Sequence, residues 1–189
     1  MRETLEIPDI IRLIHADGWR MRALSAVAAL GLPDSWICAG IVRNLVWDSL
    51  HGFDRPTALN DVDVLYFDRR DRSRDAERRV ERSLEGDMPG VPWNVRNQAR
   101  MHEVNGDPPY RSSPDAMRFW PETATSVAVR LVGREKVDLV AAHGIQDLVN
   151  LVVRPTPHFA SKLEIYRMRV RTKRWDQTWP LLTIHDPVH

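Results

Sequence analysis

Residues 60–67 read Asn-Asp-Val-Asp-Val-Leu-Tyr-Phe, and no other stretch of the chain limits its fold so tightly. The apolar tail of this segment suits a buried strand. Strand side chains alternate with a period of two, so Asp61 and Asp63 share one face and Val62 and Val64 the other. Two carboxylates on one face repel each other and bind protons more tightly. A fold tolerates that chiefly where a cation neutralises them, and carboxylates are the ligands that hard Mg²⁺ takes, usually together with substrate phosphates. Two solvated loop acids ahead of a strand have the same spelling, so the pair takes its meaning from its surroundings.

About twenty residues upstream, residues 37–44 read Ile-Cys-Ala-Gly-Ile-Val-Arg-Asn. This is an apolar run joined through small residues to a helix pattern with apolar positions at 41, 42, 45, 46 and 50. Ala39 and Gly40 at such a turn let backbone N–H groups approach phosphate oxygens, aided by the helix dipole. Arg43 and Asn44, in the first helical turn, lie within reach of the same ligand. An ordinary strand–helix turn, in which Gly40 only supplies φ freedom and Arg43 is solvated, explains the segment equally well by itself. Downstream, Asp138 stands between Val137 and Leu139 in an apolar strand and supplies a third acid.

The remaining pattern predicts helices over residues 8–14 and 19–30, a strand at 62–67, an Arg-rich helix at 73–84 and a strand within 95–104. A hairpin is expected at 126–132 and 136–141, followed by helices at 144–152 and 162–172. Helix, strand, helix, strand, helix and then hairpin make an α+β (mixed α/β) domain. With 189 residues and no repeat or Gly/Ser linker, a single domain over 1–189 is expected, with an N-terminal helical segment at 1–31, a core at 32–153 and a C-terminal extension at 154–189. Lone Cys38 fits a reducing compartment. The longest apolar stretch, 23–32, is broken by Ser25 and falls short of a membrane span. Glu3, Glu6 and Asp9 are unlike a secretory leader, so a soluble cytoplasmic protein with no membrane partner is expected.

Charge is balanced overall, 27 Lys and Arg against 26 Asp and Glu, but not locally. Residues 69–82 hold seven Arg and four acids at helical spacing, as on a solvated helix face; residues 162–174 hold six basic residues against Glu164 alone. The second run suits either a polyanion or the exposed side of a terminal helix. If residues 97–102 are a strand, Gln98, Arg100 and His102 face one way and Asn97 the other, a polar lining for a substrate pocket or simply an exposed sheet face. Trp93, Trp120, Trp175 and Trp179 suit either base stacking or the core.

Taken together, strand, small-residue turn, helix, Asp-x-Asp strand and later acid resemble the DNA polymerase β-like nucleotidyltransferase superfamily. Residues 39–44, Ala-Gly-Ile-Val-Arg-Asn, are similar to the Gly-Gly-x-Val-Arg-Asp of tRNA nucleotidyltransferases and poly(A) polymerases. The chain more closely resembles a bacterial nucleotidyltransferase-like family of uncharacterised substrate. The matching segments are 39–44, Trp-Asp-Ser-Leu-His-Gly at 47–52, Asn-Asp-Val-Asp at 60–63, Asn-Gln-Ala-Arg-Met-His at 97–102, Trp-Pro-Glu-Thr at 120–123 and Gly-Ile-Gln-Asp-Leu at 144–148. The resemblance implies a small mixed sheet flanked by helices and transfer of a nucleoside monophosphate from an NTP to a hydroxyl of RNA, protein or a small molecule. It also implies Mg²⁺ or Mn²⁺ on Asp61, Asp63 and Asp138, with Asp147 and Glu122 as competitors for the third place. Ala39, Gly40, Arg43 and Asn44 would bind the nucleotide, and Asn97, Gln98, Arg100, His102 and Glu122 would form a substrate pocket. Two departures stand out: Ala39 precedes Gly40 where the superfamily has Gly followed by Gly or Ser, and Asn44 replaces an Asp. A catalytically silent nucleotide-binding member and a nucleic-acid-binding module are the alternatives.

Overall fold

The structure, a computed structural model, describes residues 5–187. A five-stranded sheet in the order β3-β2-β1-β4-β5 forms its middle. The strands are β1 (Trp36–Cys38), β2 (Val62–Tyr66), β3 (Trp93–Asn97), β4 (Val127–Val132) and β5 (Lys136–Ala141). Central β1 pairs antiparallel with β2 and β4, β4 forms a hairpin with β5, and β2 and β3 run parallel. The parallel pair needs a crossover, supplied by α4 (Arg74–Asp87), which packs on β3.

One face of the sheet carries the main core. Ile37, Val62, Val64, Val129 and Val137 pack there against α1 (Ile7–Ala16), α2 (Gly18–Ala29) and α3 (Gly40–His51). Helices α1, α2 and α4 start where a polar side chain meets otherwise unpaired N–H groups. Asp9 accepts from the Glu6 amide, Asp17 from Arg20 and Ser73 from Ala76. Ile10 and Ile14, one turn apart on α1, are fully buried. The other face holds a smaller cluster of Trp36, Cys38, Leu65, Ala128 and Met117, the last from α6 (Ser113–Met117).

The segment expected to continue as a strand through 95–104 instead divides. β3 ends at Asn97, whose side chain accepts from the Ala99 amide and starts α5 (Gln98–Asn105). The helix expected over 144–152 shrinks to α7 (Gln146–Val149). Leu151 then takes a positive φ of 58° and the chain enters β6 (Val152–Val153), which pairs in parallel with β7 (Thr183–Ile184). Between them, a 3₁₀ turn (Pro157–Ser161), α8 (Leu163–Lys173) and α9 (Trp175–Thr178) return the chain across the C-terminal half of α3. No helix among the described residues is long and apolar enough to cross a membrane.

Candidate active site

Because β1 and β2 are antiparallel with Cys38 opposite Asp63, β1 ends where β2 begins. A cavity of about 510 Å³ lies at that end. Its acidic wall is Asp61 and Asp63, the first exposed and the second half-buried. Directly beside Asp63 in the parallel register stands Asn94, whose Nδ2 donates to Asp63 Oδ1 at 2.5 Å. Burial is the main reason the Asp63 carboxyl lies above the usual carboxylate range. The hydrogen bond from Asn94 lowers it, the Asp61 charge raises it, and Arg43 and Lys173 lower it. Cys38, on the same sheet face, is fully buried; burial first, then Asp63 and Asp61, push its thiol far up. It therefore stays neutral and is no nucleophile.

The opposite wall is basic. Arg43 comes from the first turn of α3, and Arg169 and Lys173 from α8. Arg43 donates through Nε and a terminal nitrogen to Asn44 Oδ1 (3.2 and 2.8 Å) and lies over both Trp47 and Trp175, 5.3 and 5.0 Å from their ring centres. Burial draws its guanidinium down to about 10, against the raising charges of Glu122, Asp61 and Asp63. Arg43 is thus packed into the fold as well as aimed at the cavity. Between the walls lies the turn into α3. Ala39 holds φ 54° and ψ −111°, a backbone region almost reserved for Gly. The conformational freedom expected of Gly40 is therefore demanded one residue earlier. What Gly40 supplies is space: a Cβ there would sit 3.3 Å from Leu59 Cδ2.

A single buried carboxylate ties the cavity's third side together. Asp48, on α3, accepts from the Thr57 amide and hydroxyl (2.8 and 2.6 Å) and from Trp179 Nε1 (2.8 Å). Thr57, Thr178 and Trp179 all line the cavity. Trp175 and Trp179 are only 4% and 3% exposed, so they serve as packing beneath it, with little free face for a base.

The structure thus brings together Ala39, Gly40, Arg43, Asn44, Asp61 and Asp63. It does not bring Asp138 to them. Asp138 lies on edge strand β5, paired with Lys136 (2.9 Å) and with Arg130 opposite it on β4 (3.4 Å). From β2 to β5 are three strand spacings, about 14 Å. Asp147 does not line the cavity either; it accepts from Thr123 and pairs with Arg154. Nor do the substrate-pocket candidates line this cavity. Asn97 is fully buried, bonding the backbone of Asp68, Asp71 and Ala99. Arg100 forks onto buried Glu77 at 2.9 and 2.7 Å, and Gln98 bonds the Arg96 carbonyl. His102 rests edge-on against Tyr110. Glu122 is fully buried behind Arg169. Asn94, Thr57 and Thr178 escaped the sequence reading because single polar residues give no periodic signal. Arg169 and Lys173 lay within the basic run at 162–174 without anything to separate them from solvated neighbours.

A mixed sheet with paired acids at the head of one strand, facing basic side chains across a tight strand–helix turn, defines a nucleotidyltransferase domain of polymerase β-like fold. The model of a nucleotidyltransferase family matches residues 25–184, and the chain belongs to that family. An NMR structure described as revealing a CCA-adding enzyme head domain is 33% identical, with a TM-score of 0.85, covering 96% of this chain and 97% of that one. A CCA-adding enzyme complexed with ATP is 15% identical at a TM-score of 0.56, covering 92% of this chain and 41% of that one. The Thermotoga maritima CCA-adding enzyme complexed with tRNA is 14% identical at 0.55, covering 97% and 40%. These two share the fold, and the chain spans about two-fifths of their length. No curated protein matches the chain.

Proposed function

We propose that the cavity transfers a nucleoside monophosphate from an NTP to a hydroxyl acceptor, with a divalent cation held at Asp61 and Asp63. The observation that carries this reading is the division of one cavity into an acidic wall from β2 and a basic wall from α3 and α8. Such a division suits a metal–triphosphate pair. The donor set fits the metal in a limited way. Among the described residues no group of three His, Cys, Asp or Glu is placed to hold an ion, but two carboxylates completed by substrate phosphates are what Mg²⁺ commonly takes. When bound, such an ion neutralises developing charge on the transferring phosphoryl group.

The protein's own groups bind and orient. Arg43, Arg169 and Lys173 meet the phosphate charge, while the dipole of α3 and its first amides, which lack intrahelical acceptors, favour an anion at Gly40. Asn94 keeps Asp63 turned into the cavity. The acceptor oxygen attacks the α-phosphorus, the bond from that phosphorus to the bridging oxygen breaks, and pyrophosphate leaves as the hydroxyl proton is lost to water. Solved relatives carrying ATP and CTP support an NTP partner. RNA, a protein hydroxyl and a small molecule are the acceptor classes to screen.

A second reading, nucleotide binding without turnover, is favoured by the amide rather than acid of Asn94 beside Asp63 and by the distance of Asp138. The test is the double substitution Asp61→Asn with Asp63→Asn. Loss of Mg²⁺-dependent NTP binding is expected, and unchanged Mg²⁺-dependent binding would end both readings. Labelled NTPs offered to tRNA, protein and small-molecule pools then separate turnover from silent binding.

A further inference from the structure

Glu122 lies outside the cavity wall yet is connected to it. Its side chain is fully buried, and a buried carboxylate requires partners for both oxygens. Oε2 accepts from the Thr125 hydroxyl at 2.9 Å and Oε1 from Arg169 Nε at 2.7 Å. Its backbone is equally fixed: its carbonyl accepts from Ser126 and Thr125 hydroxyls, and the residue bridges to Pro155. Engagement through Nε is informative. It orients the guanidinium, and among the described residues neither terminal nitrogen is hydrogen-bonded to a carboxylate, while Arg169 lines the cavity.

Arg169 also has a like-charged neighbour. Its guanidinium is 5.8 Å from the ring centre of Trp175, and that of Arg43 is 5.0 Å from the same ring. Two cations around one indole repel each other, and a nearby anion offsets that repulsion. Glu122 is the anion held on Arg169, at 2.7 Å from its Nε; its charge also raises the Arg43 pKa, ahead of Asp61 and Asp63.

We propose that Glu122 is a positioning residue: the buried counter-ion that holds Arg169 in place as part of the phosphate-binding wall of the cavity. This rests on the nucleotide site proposed above. Glu122 touches no cavity ligand itself, so its effect runs through Arg169.

The test measures the dissociation constant of a non-hydrolysable NTP, and of inorganic tripolyphosphate, by titration calorimetry with Mg²⁺ present. The proteins are the wild type, Glu122→Gln, Arg169→Gln and the double variant. Glu122→Gln should weaken both ligands about tenfold, whereas in the Arg169→Gln background it should weaken them no further. Fold integrity is read from melting curves, and a variant that melts early still reports through this cycle when measured below its transition. Full additivity of the two substitutions would overturn the positioning role, as would unaltered affinity in Glu122→Gln. A wild type that binds neither ligand overturns the nucleotide site itself, and is thereby told apart from a failure of Glu122 alone.

Discussion

Ala39 is the most strained residue of the site. With φ 54° and ψ −111° it occupies a region that costs a residue with a Cβ about 1–3 kcal/mol. Replacing it with Gly releases that strain but loosens the unfolded chain, at about 0.4–1 kcal/mol. Strain outweighs entropy, so Ala39→Gly should stabilise the protein by about 1 kcal/mol, read as a rise in the denaturant midpoint with unchanged slope. A midpoint that falls would show the backbone is relaxed there. Asp63 works in the opposite sense to a stabilising ion pair. Its folded pKa is raised, so folding disfavours its charged form. Stability on this account is highest where it is protonated in both states, declines as pH rises from the unfolded towards the folded value, and stays lower above. Asp63→Asn should therefore raise the melting temperature of the metal-free protein at pH 7 and leave it unchanged at low pH. An equal shift at both pH values would refute this.

Four residues of the site show what a single sequence discloses at this scale. Asp61 and Asp63 were legible because alternation on an apolar strand puts them on one face. Ala39 gave no sign of its backbone strain beyond departing from the glycine of the resembling family. Arg43 was legible as a ligand-facing cation but not as one enclosed between two indoles, because only Trp47 is a neighbour on its own helix and Trp175 comes from a helix far along the chain.

At the scale of elements, one carboxylate couples three of them. Asp48 joins α3 to the loop carrying Thr57 and to Trp179, which follows α9. Asp48 is 5% exposed, so Asp48→Ala leaves buried donors unpaired, at about 1–3 kcal/mol for each group so stranded. A loss of about 2–4 kcal/mol in unfolding free energy is expected, with proteolysis at 175–187 accelerating before the rest of the chain is cut. Uniform cleavage would mean Asp48 does not hold the C-terminal segment. The elements of the fold were unequally legible. α1, α2, α3 and the β4–β5 hairpin follow from periodicity and caps. α5 was misread as strand because partial alternation was weighed above an Asn followed by good helix formers, a start signal that was present. β6 exists only because β7, some thirty residues later, pairs with it, and no local pattern encodes that.

Across the whole molecule, topology decides which acids meet. The sequence placed Asp138 on the correct strand and, by alternation, on the same sheet face as Asp63, since Val140 shares a lateral row with Ala128, Cys38 and Asp63. Strand order was the missing information. The hairpin attaches to β1 through β4, which sends β5 to the outer edge. There Asp138 has a local role, its carboxyl held below the usual range first by Lys136 and then by Arg130. Lys136 is 72% exposed and Arg130 38%, and pairs of that kind contribute about 0–1 kcal/mol. Asp138→Asn should therefore lower stability by no more than about 1 kcal/mol, and leave both NTP affinity and any nucleotidyl transfer at wild-type values. The measurements are a denaturation curve and a side-by-side turnover assay. A steep fall in turnover with NTP binding intact would be a transition-state effect. It would require β5 to approach β2 in the working protein, against the strand order found here.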